Sequence, residues 1–320
     1  MIFSSFEEMQ KAVDIVNDSR HPTSKVAATI FGTDKDNRPY SISKTNYWPE
    51  IIEKKFDDNA RIGNSSGTIH AETACILNAP YTNGASICVT DPFCPNCAKN
   101  MAEAGIKTIY IDHKGFNKDF ASRRGDHFNN MSMQVCERAG INVFEINRKE
   151  QSLKPIIEIP ETFRPSEDSP VEIETLKIAD EARFRALIEF KLENFKGSKL
   201  AVAIAKNKRG DVFGLSAISQ PIIGYRMISD IDEIENAEGK YSFIQEPINR
   251  LLMHAPKNGL TISNGLLFCS QIPTSREQVN IIGAGLKSVT IRNMSQARDD
   301  WAFKAMEQLS NADVMTYYSL

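Results

Sequence analysis

The stretch that decides the fold runs from residue 68 to residue 97: it opens with Thr68-Ile-His-Ala-Glu72 and closes with Pro92-Phe-Cys-Pro-Asn-Cys97. It offers three side chains that commonly bind metals, His70, Cys94 and Cys97, and a carboxylate two residues after the histidine. A zinc ion with three protein ligands keeps its fourth position for water, which is the catalytic rather than the structural arrangement. The stretch therefore predicts a hydrolytic zinc site.

Both motifs are predicted to begin helices. Pro95 suits the first turn of a helix that ends before Gly105, and His70 begins an earlier helix. Unpaired N–H groups and the positive end of the helix dipole favour thiolates there, by about 0.3–1 kcal/mol per charge. One neutral imidazole and two thiolates also cancel the charge of Zn²⁺, which leaves the metal acidic enough to carry hydroxide near neutral pH. Glu72 lies where it can exchange a proton with that water.

Strand-like and helix-like segments alternate around these motifs. Strands are predicted over residues 25–31, 40–43, 85–89, 107–112 and 141–146, and helices over residues 6–16, from about 70, over 95–104 and over about 128–139. Strands that alternate with helices of this size indicate an α/β layered domain. We expect a three-layer α/β/α unit with a mixed sheet.

The second half of the chain repeats the pattern of the first. Ser198-Lys-Leu-Ala-Val-Ala-Ile aligns with Ser24-Lys-Val-Ala-Ala-Thr-Ile at an offset of 174, and two later strands align at offsets of 181 and 180. Near-constant offsets over three strands predict a tandem duplication. Ile244-Gln-Glu-Pro247 lies over Ile69-His-Ala-Glu72 at an offset of 175, and the offset of 181 places Ser275 and Gln278 over Cys94 and Cys97. The predicted counterparts of the four site residues are therefore Gln245, Pro247, Ser275 and Gln278, with Glu246 out of phase by one residue. The second copy is therefore expected to have lost its zinc ligands.

The motifs resemble the zinc-dependent cytidine/deoxycytidylate deaminase superfamily, whose signature is H-x-E…P-C-x-x-C. Cys94-Pro-Asn-Cys-Ala-Lys99, the turn Ala104-Gly-Ile-Lys107 and the upstream Thr45-Asn-Tyr47 look most like the deoxycytidylate deaminase branch. The resemblance covers about residues 6–146, and the repeat extends the cytidine-deaminase-like fold to the C-terminus. One position departs from the pattern, because Phe93 stands directly before Cys94 where the family has proline.

The resemblance implies a role for each matched residue. His70, Cys94 and Cys97 would bind zinc, and Glu72 would be the general acid/base of hydrolytic attack at C4 of a cytosine ring. Asn46 matches the family's sugar-contacting asparagine. The remaining candidates for substrate contact are Ala71, Phe93, Arg123 and Arg124. The two arginines suit a 5′-phosphate, since a guanidinium binds phosphate bidentately, and a solvated loop pair is the competing interpretation.

A proline-rich and acidic segment separates the two halves. Prolines recur at positions 155, 160, 165 and 170, a composition typical of a semi-rigid linker. We therefore expect a catalytic zinc deaminase domain over residues 1–148, a linker over residues 149–174, and a degenerate deaminase-like domain without zinc ligands over residues 175–320. A homodimer and an intramolecular pseudo-dimer of the two repeats are the expected assemblies.

Bulk composition excludes several classes of protein. The formal net charge of −3 offers no electrostatic grip on polyanions, which disfavours a polynucleotide substrate and leaves a small nucleotide, nucleoside or base. No run approaches the ~18 apolar residues of a membrane span, and the N-terminus lacks the features of a signal peptide. The six cysteines are spaced for metal binding and buried thiols rather than for a disulfide framework. A cytoplasmic location is expected.

Three functions are compatible with the sequence. The first is hydrolytic deamination of a cytosine nucleotide or nucleoside, dCMP-like for preference, with release of ammonia. The second is deamination of another amino-heterocycle such as guanine or a pterin-like ring, an alternative that Phe93 keeps open. The third is a zinc-stabilised binding protein without turnover, against which Glu72 argues because a structural zinc site has no use for that carboxylate.

Overall fold

Two six-stranded mixed sheets, one from each half of the chain, form the framework. The computed structural model describes residues 3–57, 60–118, 128–235 and 241–320. The first sheet contains β1 (Ala27–Thr33), β2 (Pro39–Thr45), β5 (Ser86–Val89), β6 (Thr108–Asp112), β7 (Asn142–Asn147) and β8 (Ser152–Ile157), in the order β2-β1-β5-β6-β7-β8. The second contains β9 (Glu172–Leu176), β10 (Leu200–Asn207), β11 (Val212–Ile218), β14 (Leu260–Ile272), β15 (Ser288–Ala297) and β16 (Thr316–Ser319), in the order β16-β15-β14-β10-β11-β9. Two small ribbons pair β3 (Arg61–Ile62) with β4 (Ser65–Ser66), and β12 (Gln220–Pro221) with β13 (Ile244–Gln245).

Helices cover both faces of each sheet. The first half contributes α1 (Ser5–Ile15), α2 (Glu50–Lys55), α3 (Ala71–Asn78), α4 (Pro95–Glu103) and α5 (Met133–Arg138). The second half contributes α6 (Glu181–Asn194), α7 (Ile231–Glu235), α8 (Pro247–Lys257), α9 (Ser275–Gly283) and α10 (Asp300–Asn311). Short helical turns span Val16–Asp18, His113–Asn117 and Phe128–Ser132. In the described part of the chain, none of the helices has both the length and the apolar character that a membrane crossing requires.

The alternation of side chains between the two faces of β1 explains why helices pack on both sides of the sheet. Ala27 and Phe31 pack with Met9 of α1 on one face, while Ala28 and Ile30 point into a core on the other face, as the two-residue period of a strand requires. In the second half, α6 covers the outer face in the same way. The three-layer α/β/α prediction is therefore confirmed. Helices α3, α4, α8 and α9 lie between the two sheets and share one continuous core.

The two sheets repeat each other in register. Strand β1 pairs Ala27 with Thr45, and β10 pairs Leu200 with Ile218, so both offsets are 173 (200 − 27 and 218 − 45). A side-chain hydrogen bond also recurs at equivalent places. The N–H of Ala27 donates to Oγ1 of Thr90 at 3.0 Å, and the N–H of Leu200 donates to Oγ of Ser270 at 2.9 Å. These matches fit a tandem duplication.

The strand register corrects the residue equivalences predicted for the site. Tyr47 bridges Ile69 in the first half, and its counterpart at offset 173, Gln220, pairs with Gln245. Ile69 therefore corresponds to Gln245, so the next residue, His70, corresponds to Glu246. His70 and Glu246 are indeed the N-caps of α3 and α8, with nearly equal backbone angles.

For the Cys-x-x-Cys motif, the strand register lowers the predicted offset between the halves by one residue, whereas for the His-x-Glu motif it raises the offset by one residue. Ala28 pairs with Val89, and its counterpart Ala201 pairs with Cys269, which fixes the later offset at 180 (269 − 89). The offset of 181 predicted from sequence places Cys269 over Cys88 and is therefore one residue too large. The structural counterparts of His70, Glu72, Cys94 and Cys97 are Glu246, Ile248, Thr274 and Glu277. The prediction of Gln245, Pro247, Ser275 and Gln278 was wrong by one residue at each position.

The proline-rich segment between the halves is attached to both sheets. Its beginning forms β8, which pairs antiparallel with β7, and its end forms β9, which pairs antiparallel with β11. Both are edge strands, and an edge strand tolerates Pro155 because one of its sides needs no N–H donor. Between them, the carbonyl of Ser166 accepts from the N–H of Gly224 at 2.7 Å. The segment predicted as a linker thus adds one strand to each half.

Candidate metal centre

The three predicted metal ligands converge at the N-termini of α3 and α4. The ligand atoms of His70, Cys94 and Cys97 lie within 4.8 Å of one another. Nδ1 of His70 is 3.2 Å from Sγ of Cys97 and 3.6 Å from Sγ of Cys94. Both cysteines are buried and the histidine is half-buried. One imidazole nitrogen and two thiolate sulfurs form a donor set that suits zinc, and a half-buried edge leaves room for a fourth ligand.

Helix capping explains why these residues meet. His70 and Cys94 are N-caps with extended backbones (φ −72°, ψ 149° and φ −81°, ψ 162°), and Pro95 follows as the first helical residue of α4. Cys97 lies in the first turn of that helix, on the same side as the cap. The first turn of a helix has N–H groups without intrahelical partners and carries the positive end of the dipole. Two such helix ends therefore create a positive environment that favours thiolates.

The predicted acid/base residue lies beside the ligands. Glu72 is in the first turn of α3 and only 2% exposed. It lines a cavity of about 110 Å³ together with His70, Ala71 and Asn46. The other walls of this cavity, which we call the site cavity, are His21, Ser24, Val26, Ser66 and Thr68. The structure thus brings four of the predicted site residues to one small, partly closed space.

Asn46 is largely engaged by its own chain. Its Oδ1 accepts from the hydroxyl of Ser19 at 2.7 Å and from the N–H of Val26 at 3.0 Å, and its Nδ2 donates to the carbonyl of Ser24 at 2.8 Å. A side-chain amide has two donor and two acceptor positions, so these bonds leave one N–H for a ligand. Asn46 therefore fixes the wall of the site cavity formed by Ser24 and Val26, in addition to any contact with a sugar.

Phe93, another residue predicted to contact the substrate, does not line the site cavity. The ring of Phe93 is fully buried and packs edge-on against Phe128 at 5.5 Å, and its carbonyl accepts from the hydroxyl of Ser132 at 3.1 Å. Phe93 is thus part of the core and not part of the lining of the site cavity. Arg123 and Arg124 lie outside the described residues.

Sequence analysis missed a residue that the second half places at this site. Arg276 of α9 donates from Nη1 to the carbonyl of Thr68 at 2.8 Å, and from Nη2 to the carbonyl and the hydroxyl of Ser66 at 3.2 and 3.1 Å. Burial lowers the pKa of Arg276, while the charges of Cys94 and Cys97 act in the opposite direction. The guanidinium therefore holds the segment that leads to His70 and lies within electrostatic range of both thiolates.

A matching contact runs from the first half to the second. Nζ of Lys99, on α4, donates to the carbonyls of Ser242 and Ile244 at 2.8 and 2.9 Å. At the offset of 176 these two residues are the counterparts of Ser66 and Thr68. Each half thus provides a cation that binds the backbone before the N-cap residue of the other. The repeat alignment could not reveal this reciprocity, because the counterpart of Arg276 at offset 180 is Asn96 rather than Lys99.

Comparison with known proteins finds no matching family model. The chain is 32% identical over 126 residues to a protein of Aliivibrio fischeri described as an uncharacterized deaminase in the luxG 3′ region, and the match covers 39% of this chain and 81% of that protein. Among solved structures, the chain is similar to the dCMP deaminase from the cyanophage S-TIM5 in complex with dCMP and dUMP, with a TM-score of 0.32 and 18% identity. The match covers 46% of this chain and 100% of that enzyme's chain. The apo form of that enzyme has a TM-score of 0.31 and 19% identity, and covers 44% of this chain and 96% of its own. Each match therefore corresponds to less than half of this chain.

Proposed function

The chain belongs to a family of deaminases, and on that premise we propose that it is a zinc-dependent hydrolase of the cytidine and deoxycytidylate deaminase superfamily that deaminates a cytosine nucleotide or nucleoside, preferably a dCMP-like one, with release of ammonia. The observation that carries the proposal is the convergence of His70, Cys94 and Cys97 beside the buried Glu72. A hydrolytic deaminase needs a metal-activated water and a carboxylate to move its protons. Residues that can meet both requirements lie together at this one place.

His70, Cys94 and Cys97 would hold the zinc ion. The donor set fits, because its two thiolates balance the charge of Zn²⁺ and its three members leave one coordination position for water. When bound there, zinc supplies a Lewis acid that lowers the pKa of a coordinated water to about 7. The three ligands leave α3 and α4 at their N-terminal ends, so the helices fix the position of the metal relative to Glu72.

Glu72 moves the protons of the reaction. Its carboxylate accepts a proton from the attacking water and delivers it to N3 of the ring while the water oxygen forms a bond to C4. It then takes the remaining proton of that water from the hydroxyl on C4 and passes it to the amino group. The C4–N bond breaks, ammonia leaves and a carbonyl remains at C4. General acid–base catalysis of this kind contributes ~10²–10⁴-fold. The low exposure of Glu72 keeps bulk water away from these transfers.

Preference for a cytosine ring rests on the branch-specific motifs around Asn46 and Cys94. A larger heterocycle was suggested by Phe93, but that ring is buried against Phe128 and does not widen the site cavity. Asn46 lines a cavity whose other walls include hydroxyl-bearing residues, Ser66 and Thr68 among others. Such groups suit the hydroxyls of a sugar better than an apolar ring edge.

The second half acts as an intramolecular partner in this proposal. Residues 1–148 carry the chemistry, and residues 175–320 form a metal-free copy that supports it. Arg276 binds the segment before His70, and α8 packs against both α3 and α4. A first half expressed alone, ending near residue 148, would therefore lose activity. A stable and fully active first half would contradict this role.

The decisive experiment measures ammonia release over a panel of dCMP, CMP, deoxycytidine, cytidine, cytosine, guanine and a pterin. We expect turnover of one of the cytosine compounds, with dCMP preferred, and one zinc ion per chain. Glu72→Gln keeps the shape of the side chain and should reduce kcat by at least ~10²-fold, whereas Glu50→Gln, at an exposed position, should not. Turnover that survives Glu72→Gln would refute the mechanism. Stoichiometric zinc without turnover of any compound would favour a binding protein.

A further inference from the structure

A buried lysine lies among the second-half counterparts of the metal ligands. Nζ of Lys199 is 2.8 Å from Oε2 of Glu246 and 2.9 Å from Oε2 of Glu277. Glu246 is the counterpart of His70 (246 − 70 = 176), and Glu277 is the counterpart of Cys97 (277 − 97 = 180). The ammonium group thus bridges the two side chains that replace two of the three metal ligands of the first half.

The counterpart of the third metal ligand, Cys94, also contacts one of these buried carboxylates. Thr274, the N-cap of α9, is the counterpart of Cys94. Its hydroxyl donates to Oε2 of Glu277 at 3.0 Å, and its N–H donates to the same carboxylate oxygen at 2.8 Å. Two carboxylates and a hydroxyl therefore stand where the first half has an imidazole and two thiolates. We call Lys199, Glu246, Thr274 and Glu277 the lysine cluster.

Burial makes the cation necessary. The side chain of Glu277 is fully buried, and those of Lys199 and Glu246 are 8% and 10% exposed. Buried carboxylates are costly unless a cation and hydrogen-bond donors compensate them. Here Lys199 supplies one positive charge and Arg298, 3.2 Å from Oε1 of Glu246, supplies a second. Two negative and two positive charges cancel, as two thiolates and Zn²⁺ would in the first half.

The protonation of the lysine agrees with this geometry. Burial by itself lowers the pKa of Lys199, but the charges of Glu277 and Glu246 outweigh that effect and raise the pKa well above its ordinary value. Burial raises the pKa of Glu246, but Lys199, Arg298 and Ser219 together lower it below its ordinary value. The group at the centre of the lysine cluster is therefore an ammonium ion and its neighbour a carboxylate.

The second-half counterparts of Glu72 and Asn46 also differ in chemistry from these two residues. Ile248 occupies the position of Glu72 (248 − 72 = 176), and Ser219 that of Asn46 (219 − 46 = 173). The hydroxyl of Ser219 donates to Oε2 of Glu246 at 2.9 Å. Ile248 leaves the second half without the carboxylate that moves protons in the first. The fold therefore keeps a place for a cation but not the means to use it for hydrolysis.

We propose that the second half retains the cation site of the duplicated fold and fills it with the ammonium group of Lys199, so that this half is independent of metal and removal of the lysine uncovers a site for a divalent cation. Carboxylate and hydroxyl oxygens suit a hard ion such as Mn²⁺. The comparison with the first half rests on the proposed function, but the lysine cluster can be tested whether or not the first half is active.

The test compares the full-length zinc-loaded protein with its Lys199→Met variant, using Mn²⁺ as the probe. Binding is counted by equilibrium dialysis with electron paramagnetic resonance, and stability is followed as Tm with and without Mn²⁺. We expect the variant to bind one Mn²⁺ per chain more than the wild type, and Mn²⁺ to raise the Tm of the variant only. A folded Lys199→Met protein that binds no additional Mn²⁺ would overturn the proposal.

A matched control is available in the same half. Lys191 also bridges two carboxylates, those of Glu172 and Glu174 at 2.7 and 3.0 Å, but these are 49% and 43% exposed. Lys191→Met should therefore gain no Mn²⁺, since water can solvate its carboxylates. A gain equal to that of Lys199→Met would contradict the proposal, because it would show that any released pair of glutamates binds the ion.

A second measurement covers the case in which Lys199→Met fails to fold. The wild type, saturated with zinc and freed of excess metal, should hold one ion per chain, and the double substitution Cys94→Ser/Cys97→Ser should abolish it. Metal that persists in the doubly substituted protein at one equivalent would place an ion in the second half and overturn the proposal. Absence of metal from the wild type would refute the proposed function instead, and it would agree with a second half that holds no metal.

Discussion

Glu103 connects the helix that carries the cysteine ligands to the second half of the chain, and Glu103→Gln is expected to destabilise the protein in a pH-dependent manner. Oε2 of Glu103 is 2.7 Å from Nε2 of His254, and Oε1 is 3.5 Å from Nε of Arg250. All three side chains are at most 6% exposed. The substitution leaves the charge of Arg250 buried beside Glu167, at 3.6 Å, and the carbonyls of Ile218 and Ser169, at 3.1 and 2.7 Å.

The magnitude follows from the pKa of this carboxyl group. Burial alone would raise the pKa of Glu103, but the hydrogen bond from His254 and the charge of Arg250 outweigh it and lower the pKa from 4.5 to about 2. At about 1.4 kcal/mol per pKa unit, this fall corresponds to about 3 kcal/mol. Because the pKa is lowered on folding, the contribution is complete above pH 4.5 and is lost as the pH falls towards 2. About 2 kcal/mol of it should be gone by pH 3.

Urea unfolding of wild type and Glu103→Gln at pH 7 and pH 3 tests this reasoning. At pH 7 the variant should be less stable by about 3–5 kcal/mol, as expected when a buried ion pair loses one partner. At pH 3 the difference should shrink by about 2 kcal/mol, because Glu103 of the unfolded wild type, with its ordinary pKa of 4.5, is then largely protonated while the folded protein still holds it ionised. Glu50→Gln, which removes an exposed pair with Lys54, should change stability by less than about 1 kcal/mol. An equal difference between wild type and Glu103→Gln at both pH values would refute the assigned pKa.

Three further outcomes are expected from the contacts around the site. Arg276→Met removes the hydrogen bonds that hold Thr68, so kcat should fall by about 10²-fold because His70 is misplaced. Arg276→Lys should recover part of this loss. Unchanged steady-state kinetics in Arg276→Met would exclude a positioning role. Gly283→Ala places a Cβ 2.4 Å from Cδ1 of Ile69, and overpacking of this kind should reduce the free energy of unfolding by about 1–3 kcal/mol, measured with urea. Prolonged chelation should abolish ammonia release and added Zn²⁺ should restore it, whereas activity in metal-free protein would contradict a zinc mechanism.

Much of the candidate site could be predicted from sequence because its parts are local. His70 and Glu72 share one helix start, and Cys94 and Cys97 share another. Capping preferences, the Cys-x-x-Cys spacing and the donor preferences of zinc act over a few residues, so they are visible in a linear chain. The strand and helix alternation that gives the α/β/α fold is local in the same sense.

Tertiary structure alone decided the relations between the two halves. The register of a sheet is set by strand pairing, and a shift of one residue changes which side chain faces the site. For this reason Glu246 and Glu277, rather than their neighbours in the sequence, occupy the positions that correspond to His70 and Cys97. Arg276 and Lys199 contact their partners only when distant segments pack together. Arg276 binds Ser66 and Thr68 of the other half. Lys199 binds the two glutamates of the lysine cluster. The sequence by itself determined the donor set of one candidate metal centre. Packing determined which residues of the second half contact that candidate centre, and that Lys199 lies between Glu246 and Glu277 in the other half. Long-range contacts of this kind depend on burial and geometry that no local pattern encodes.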